Sequence, residues 1–230
     1  MHIIAHRGEW TNQVTPYEGN SIEAFKLALS NGYGIEVDIR DFCGKLVVSH
    51  NPATSACFQL TELLSYYHQN HYDACLAFNI KADGLQPLLR SLLKQFDITN
   101  YFTFDMSIPN TIIDSLKDMK YFLRQSEYEL NPEALGQLYV KSSGIWVDQF
   151  EWEQKIFIHN LKSVKKHLEN GKKVCWVSPE LHPWGRENNF YRSLWSKFKN
   201  SLPEDILVSK KLLICTDYPH LAYEVFNNEY

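Results

Sequence analysis

Eight short runs of β-branched and aromatic residues recur along the chain: "HIIA" at 2–5, "GIEVDI" at 34–39, "LAFNI" at 76–80, "YFTF" at 101–104, "YFLR" at 121–124, "IWVD" at 145–148, "KVCWV" at 173–177 and "LLICT" at 212–216. Gly, Pro, Asn or charged residues bound each run, which predicts strands. The intervening segments carry helical spacing. Asn20 is placed to cap a helix with Glu23 at its third position and Ile22, Phe25 and Ala28 or Leu29 on one face. Leu85, Leu88, Leu89, Leu92 and Phe96 form a second apolar stripe. Pro109 and Pro132 fall where the first turn of a helix accepts proline. Strands alternating with helices predict a parallel sheet, and eight such units predict an α/β fold of the closed (β/α)8 TIM-barrel type, with a doubly wound open sheet as the alternative. No Pro/Gly/Ser-rich linker interrupts the pattern, so one domain over residues 1–230 is expected.

Composition narrows the partners. Hydrophobic residues at 44% and charged residues at 22% of 230 suit a chain that buries a core. A net charge of −4 argues against a nucleic-acid surface, which shows as a basic excess. The basic stretch Lys162–Lys173 reads as the solvated face of a helix ended by Gly171. Five cysteines without a CxxC pair fit reduced thiols, most of them small buried hydrophobes. No apolar run reaches bilayer-spanning length and no secretory leader is visible, so no stable membrane insertion and a cytoplasmic location are expected. Oligomeric state is not legible in the sequence.

Some polar residues do not fit a purely structural reading. His6 and Arg7 end the first strand, and Lys81 ends the third. Glu36 and Asp38 share one face of the second, because strand side chains alternate with period two. His50 follows "KLVVSH", which is able to pair with the second strand as a hairpin across "DFCG". In a barrel all of these lie at the C-terminal strand ends, where active sites are built. Two carboxylates on one face suit a hard divalent cation, Mg²⁺ or Ca²⁺. Two histidines suit acid–base work near neutrality, and an arginine suits phosphate oxygens. An E-x-D pair on a strand also serves as an ion-paired barrel interior, and a histidine at a strand end is often structural.

The ordered set "HRG", "NSIEAF" and "GIEVDIRDFCGKLVVSHN", continued by "FNIK", "FTFD" and "ICTDYP", resembles the glycerophosphodiester phosphodiesterase family. The resemblance spans almost the whole chain and is strongest over residues 2–52. It implies a (β/α)8 barrel and cleavage of a small phosphodiester, with His6 and His50 as the acid–base pair. It further implies Arg7 and Lys81 at the phosphate, and Glu36, Asp38 and Asn79 around a divalent metal ion. The implied reaction is attack by a neighbouring substrate hydroxyl, forming a cyclic phosphate that is then hydrolysed; lipid metabolism is the implied setting.

The sequence departs from the family pattern at three places. Asn79 stands where the family carries a Glu ligand, Asn51 replaces the Asp after the second histidine, and "EGNS" replaces Glu-Asn-Thr. Glu127 and Glu180 are the candidates for a compensating ligand. His182 is a candidate substrate contact if its strand continues past Glu180, or a loop histidine against Trp184. Asp217 either faces the pocket or fixes the loop before Pro219. Trp146 and Trp176 read as core, and His68 and His71 as surface. The loss of acidic groups keeps open a second reading, a catalytically silent barrel that binds a phosphodiester without turnover. A phospholipase-like action on lipid headgroups is a third, disfavoured because no basic amphipathic helix or lipid anchor is visible.

Overall fold

A computed structural model describes residues 1–10, 16–151, 153–182 and 187–227, with the backbone alone at 154–156. Its strands are β1 (His2–His6), β2 (Gly34–Phe42), β3 (Lys45–Val48), β4 (Leu76–Ile80), β5 (Tyr101–Phe104), β6 (Phe122–Gln125), β7 (Gly144–Val147), β8 (Lys173–Val177) and β9 (Leu212–Thr216). They form one sheet in the order β5-β4-β2-β1-β9-β8-β7-β6, and an isolated parallel bridge joins Thr103 of β5 to Tyr121, just before β6. The order is that of a (β/α)8 barrel. Each of the eight expected runs is a strand. The ninth, β3, pairs antiparallel with β2 (Ile39 opposite Val48, Phe42 opposite Lys45), the hairpin expected across "DFCG".

Two compact units make up the chain. One contains His6–Tyr121, the other Met1–Ala5 with Phe122–Tyr230. In the His6–Tyr121 unit the helices are α1 (Ile22–Ser30), α2 (Leu60–Gln69), α3 (Gln86–Gln95) and α4 (Ile108–Leu116). Ile35, Val37 and Ile39 on one face of β2 are fully buried, and so are Phe78 of β4 and Phe25 of α1. Burying an aliphatic side chain of this size contributes about 1.5–3 kcal/mol, so this layer anchors the strands that carry the polar residues.

Two helix expectations need correction here. Ser21, not Asn20, caps α1: its Oγ accepts from the Ala24 N–H at 3.2 Å. Asn20 adopts a left-handed φ of 63° and turns its amide elsewhere. The apolar stripe of α3 is also rotated. Leu85, Gln86, Leu89 and Leu93 are buried, while Leu88 is exposed, because Gln86 takes a core position that the leucine spacing does not reveal.

The other unit carries α5 (Gln137–Lys141), α6 (Gln154–Glu169), α7 (Asn188–Asn200), α8 (Glu204–Leu207) and α9 (Pro219–Asn227). Trp176 stacks on Phe198 with centroids 3.8 Å apart and planes 6° from parallel, and Trp146 is likewise buried. Gly171 ends the basic helix as expected, with φ 80° and its N–H donating to Leu168 O. Within α6, however, His167 is buried, its Nε2 donating to Gln125 Oε1 and its Nδ1 accepting from the Tyr139 hydroxyl. The five cysteines are free thiols, but only Cys175 and Cys215 are buried. Among the described residues no helix is long and apolar enough to cross a membrane.

Candidate active site

The HRG turn at the end of β1 is held by sterics. Gly8 has φ 86°, and a Cβ there would lie 2.7 Å from the Ala24 carbonyl carbon, so only glycine lets the turn pass under α1. Arg7 is also left-handed, at φ 57°. That conformation points its backbone N–H at Glu36 Oε2 (3.2 Å) and brings its Nε to Asp38 Oδ2 (3.1 Å). A non-glycine residue in this region carries strain of about 1–3 kcal/mol, offset here by contacts to two buried carboxylates. His6 Nε2 stands 3.9 Å from Glu36 Oε2.

Asp38 is the most heavily engaged group. Lys81 Nζ lies 3.0 Å from Oδ1, Arg7 reaches Oδ2, and Asn20 Nδ2 donates to Oδ2 at 2.8 Å. Burial works to raise its proton affinity, but Lys81, the Asn20 hydrogen bond and Arg7 outweigh it and hold the carboxyl below its usual range. Glu36 differs. Burial first, and then the charge of Asp38, push it up to about 7 against the opposing pull of His6, Lys81 and Arg7. Neighbouring carboxylates on one strand face thus separate into one firmly ionised group and one poised near neutrality.

Asn79 of β4 is in register with Asp38 and is buried. Glu36 Oε1, Asp38 Oδ1 and Asn79 Oδ1 are buried oxygens without a hydrogen-bond partner among the described residues, Asp38 Oδ1 having only its ion pair with Lys81. Orphaned buried oxygens on adjoining strand positions fit a hard cation, which takes oxygen ligands and would relieve the Glu36–Asp38 repulsion. These three residues are the ones able to hold it. Among the described residues no group of three or more His, Cys, Asp or Glu side chains could hold a metal ion, so a cation beside Glu36 and Asp38 would need a neutral third donor such as the Asn79 amide.

His50 is exposed, and its Nδ1 lies 3.2 Å from Asn51 Oδ1. An amide oxygen only accepts, so this contact selects the tautomer with the proton on Nδ1 and leaves the Nε2 lone pair available. Its main chain is tied to the cluster by Arg40. Arg40 Nε and Nη2 donate to His50 O at 3.2 and 3.1 Å, and Nη1 donates to Lys81 O at 3.0 Å. Arg40 and Asn20 join the site in the structure without being among the residues the sequence points to. The signal for Arg40 is the same period-two alternation that pairs Glu36 with Asp38, carried one step further along β2. Asn20 opens the "NSIEAF" segment, but no local pattern foretells its bond to Asp38, which joins residues 18 apart.

The remaining candidates lie in the other unit. Glu127 Oε1 accepts from the N–H groups of Phe150 (2.8 Å) and Glu151 (2.6 Å) and so braces the loop after β7. Glu180 is bonded to the hydroxyls of Ser178 and Thr216 and accepts from Asp217 N–H at 3.2 Å. Its burial pushes it up to about 7; the Ser178 and Thr216 hydrogen bonds oppose this and the Asp217 charge adds to it. The strand does not continue through Glu180. Pro179–Leu181 form a 3₁₀ turn, since proline has no N–H for a ladder and its fixed φ suits a first turn. His182 therefore leaves the Glu180 face, and its Nε2 pairs with Asp148 Oδ1 at 2.7 Å beside the Phe150 ring. Trp184 lies outside the described residues. Thr216 Oγ1 accepts from Tyr218 N–H at 3.0 Å, a local turn that leads into α9.

No protein-family model matches the chain, and no curated protein does. Solved structures do. A candidate glycerophosphodiester phosphodiesterase from Galdieria sulphuraria superposes with a TM-score of 0.72 at 17% identity, covering 99% of this chain and 98% of that one. The glycerophosphodiester phosphodiesterase from Agrobacterium tumefaciens gives 0.67 at 16% identity over 99% and 100% of the two chains. A glycerophosphoryl diester phosphodiesterase from Parabacteroides distasonis gives 0.70 at 12% identity, over 97% of this chain and 85% of its own. The chain shares their fold. The likeness extends over nearly the full length of both partners, so the (β/α)8 assignment holds for the whole chain rather than for one half of it.

Proposed function

We propose that this chain is a metal-dependent phosphodiesterase that hydrolyses a glycerophosphodiester or a related small phosphodiester. The observation that carries the reading is the cluster in which His6, Arg7 and Lys81 close around Glu36 and Asp38, all at the strand ends of one unit. Glu36, Asp38 and Asn79 would hold a divalent cation, which when bound would supply positive charge next to a phosphoryl oxygen. Arg7 and Lys81 add two fixed cations suited to phosphate oxygens and to the charge that builds on them in the transition state. His6 and His50 serve as the acid–base pair. One removes the proton of a substrate hydroxyl adjoining the phosphate while the other protonates the departing alkoxide. The cyclic phosphate is then opened by water with the two roles exchanged. The fold shared with the three solved proteins supports this reading, as does the resemblance of the HRG and E-x-D segments.

A second reading has one observation in its favour. Asp38 is already neutralised by Arg7 and Lys81, and Asn79 brings no charge, which suits a barrel that binds a phosphodiester without cleaving it. Purified protein incubated with a panel of glycerophosphodiesters, with EDTA and then with Mg²⁺, Ca²⁺ or Mn²⁺ restored, separates the two. Turnover lost to EDTA, restored by one cation and abolished in the His6→Ala/His50→Ala protein is expected. Ligand-induced stabilisation without product favours the silent barrel. Undiminished turnover by the double variant overturns the mechanism.

A further inference from the structure

Helix α5 is seated by polar bonds rather than by apolar packing. Of the residues from Pro132 to Lys141, which run through a 3₁₀ turn (Pro132–Leu135) into α5, only Pro132 is buried. A helix this short does not hold its place without tertiary contacts. The bonds that seat it come from α6 and the residues just past its end. Lys172 Nζ donates to Val140 O and to Ser142 O, both at 2.7 Å. Lys166 pairs with Glu133, and Asn170 Nδ2 donates to the Tyr139 hydroxyl at 3.0 Å. Buried His167 lies among them, its Nδ1 2.9 Å from the Tyr139 hydroxyl and its Nε2 2.7 Å from Gln125 Oε1.

The partners of His167 fix its proton. Gln125 Nε2 donates to Leu130 O at 3.3 Å and to Ser163 Oγ at 3.1 Å. A carbonyl oxygen only accepts, so the amide oxygen is the atom that faces His167. Nε2 therefore carries the ring proton, and Nδ1 keeps a lone pair that receives the Tyr139 hydroxyl. A proton added at Nδ1 removes that acceptor, while the hydroxyl oxygen already receives Asn170. The charged groups around the ring are Glu133 of the 3₁₀ turn, Lys166 of α6 and Lys172 beyond it; α5 and β6 turn the Tyr139 hydroxyl and the Gln125 amide towards it. A second proton thus adds a cation beside two lysines, and Glu133, 3.9 Å away, is already committed to Lys166. From this geometry we propose that Pro132–Lys141 is an acid-released strap, closed over a neutral His167 and let go when the ring takes up a second proton. Release also frees Gln125 and with it the Leu130 carbonyl, so the turn after β6 loosens in the same step. Burial holds the proton affinity of the closed ring below the ordinary histidine value of 6.5; Glu133 opposes this, and Lys166 and Lys172 add to it. Acid therefore favours the open strap, and the closed one is regained above pH 6.5.

Hydrogen exchange of the full chain from about pH 7.5 to about pH 5.5, corrected for the intrinsic rate at each pH, tests the strap. The reporters are the amides of Val140 and Ser142, bonded to Gly136 O and Leu138 O. We expect their protection to fall about tenfold, the limit for one proton over the unit below pH 6.5, while the amides of β7 and β8 keep theirs. His167→Gln offers the same donor and acceptor without titrating, and its strap protection should stay level with pH. If that variant also loses protection in β7 and β8, nitrogen NMR of the wild-type imidazole decides. At pH 6.5, where an ordinary histidine is half protonated, His167 should carry its proton on Nε2 alone. A wild-type strap level with pH, a fall shared by the glutamine variant, a fall spread equally over β7 and β8, or a His167 that is half protonated at or above pH 6.5 overturns the proposal.

Discussion

Replacing Glu36 by Gln should make the metal-free protein more stable at alkaline pH while removing a cation ligand. The carboxyl of Glu36 is almost fully buried and takes up its proton near pH 7 in the folded chain, against 4.5 for the unfolded one. Below pH 4.5 both states hold the proton and the group contributes nothing to pH dependence. Between the two values the folded state binds a proton that the unfolded state has released, so raising the pH favours unfolding. Above pH 7 the full cost is present, about 3 kcal/mol at 1.36 kcal/mol per pH unit of separation. Glutamine does not titrate, and its amide oxygen preserves the acceptor for the Arg7 N–H. Urea unfolding of both proteins in EDTA at pH 4, 6 and 8 gives the difference directly. Glu180 and Asp114, also raised by burial, titrate in both proteins and cancel. The stability of the variant relative to wild type should climb by about 3 kcal/mol from pH 4 to pH 8. A difference that is flat with pH, or that moves in favour of wild type, would mean that Arg7 and Lys81 fully compensate the carboxylate, and the reasoning would be refuted.

Three further outcomes follow from the same geometry. Gly8→Ala places a Cβ 2.7 Å from the Ala24 carbonyl carbon at a left-handed φ, and should cost about 2–4 kcal/mol in chemical unfolding; wild-type stability would show that the HRG turn is free to relax. Arg40→Ala removes all three bonds that tie His50 and Lys81 together, and we expect kcat/KM to fall by about 10–100-fold. Arg40→Lys should recover part of that loss, while rates within twofold of wild type for the alanine variant would deny Arg40 a positioning role. Asn79→Glu adds the missing carboxylate and should tighten Mg²⁺ or Ca²⁺ binding by about tenfold in calorimetry, and an unchanged affinity would remove position 79 from the cation's surroundings.

The sequence by itself determined the strands, because each is a short run that must bury at least one face whatever surrounds it, and that requirement is written into adjacent residues. It also determined that Glu36 and Asp38 share a face, since period two is a property of the strand alone. Helix orientation is different in kind. Which side of α3 or α4 turns inward depends on partners far along the chain. The leucine spacing of α3 puts Leu88 in the core, and Gln86 takes that place; in α4, bonds from Asn110 to Gly84 and from Asp114 to Thr103 turn the polar side inward and leave Ile108, Ile112, Ile113 and Leu116 exposed. The same holds in the candidate site. The sequence supplies a histidine, an arginine, two carboxylates and a lysine at strand ends. Only the tertiary structure decides that Arg7 and Lys81 hold Asp38 ionised, that Asp38 and burial leave Glu36 near neutrality, and that Asn20 and Arg40 join the cluster. Those are effects of burial and of charges brought together by folding, and neither is a property of any local stretch of chain.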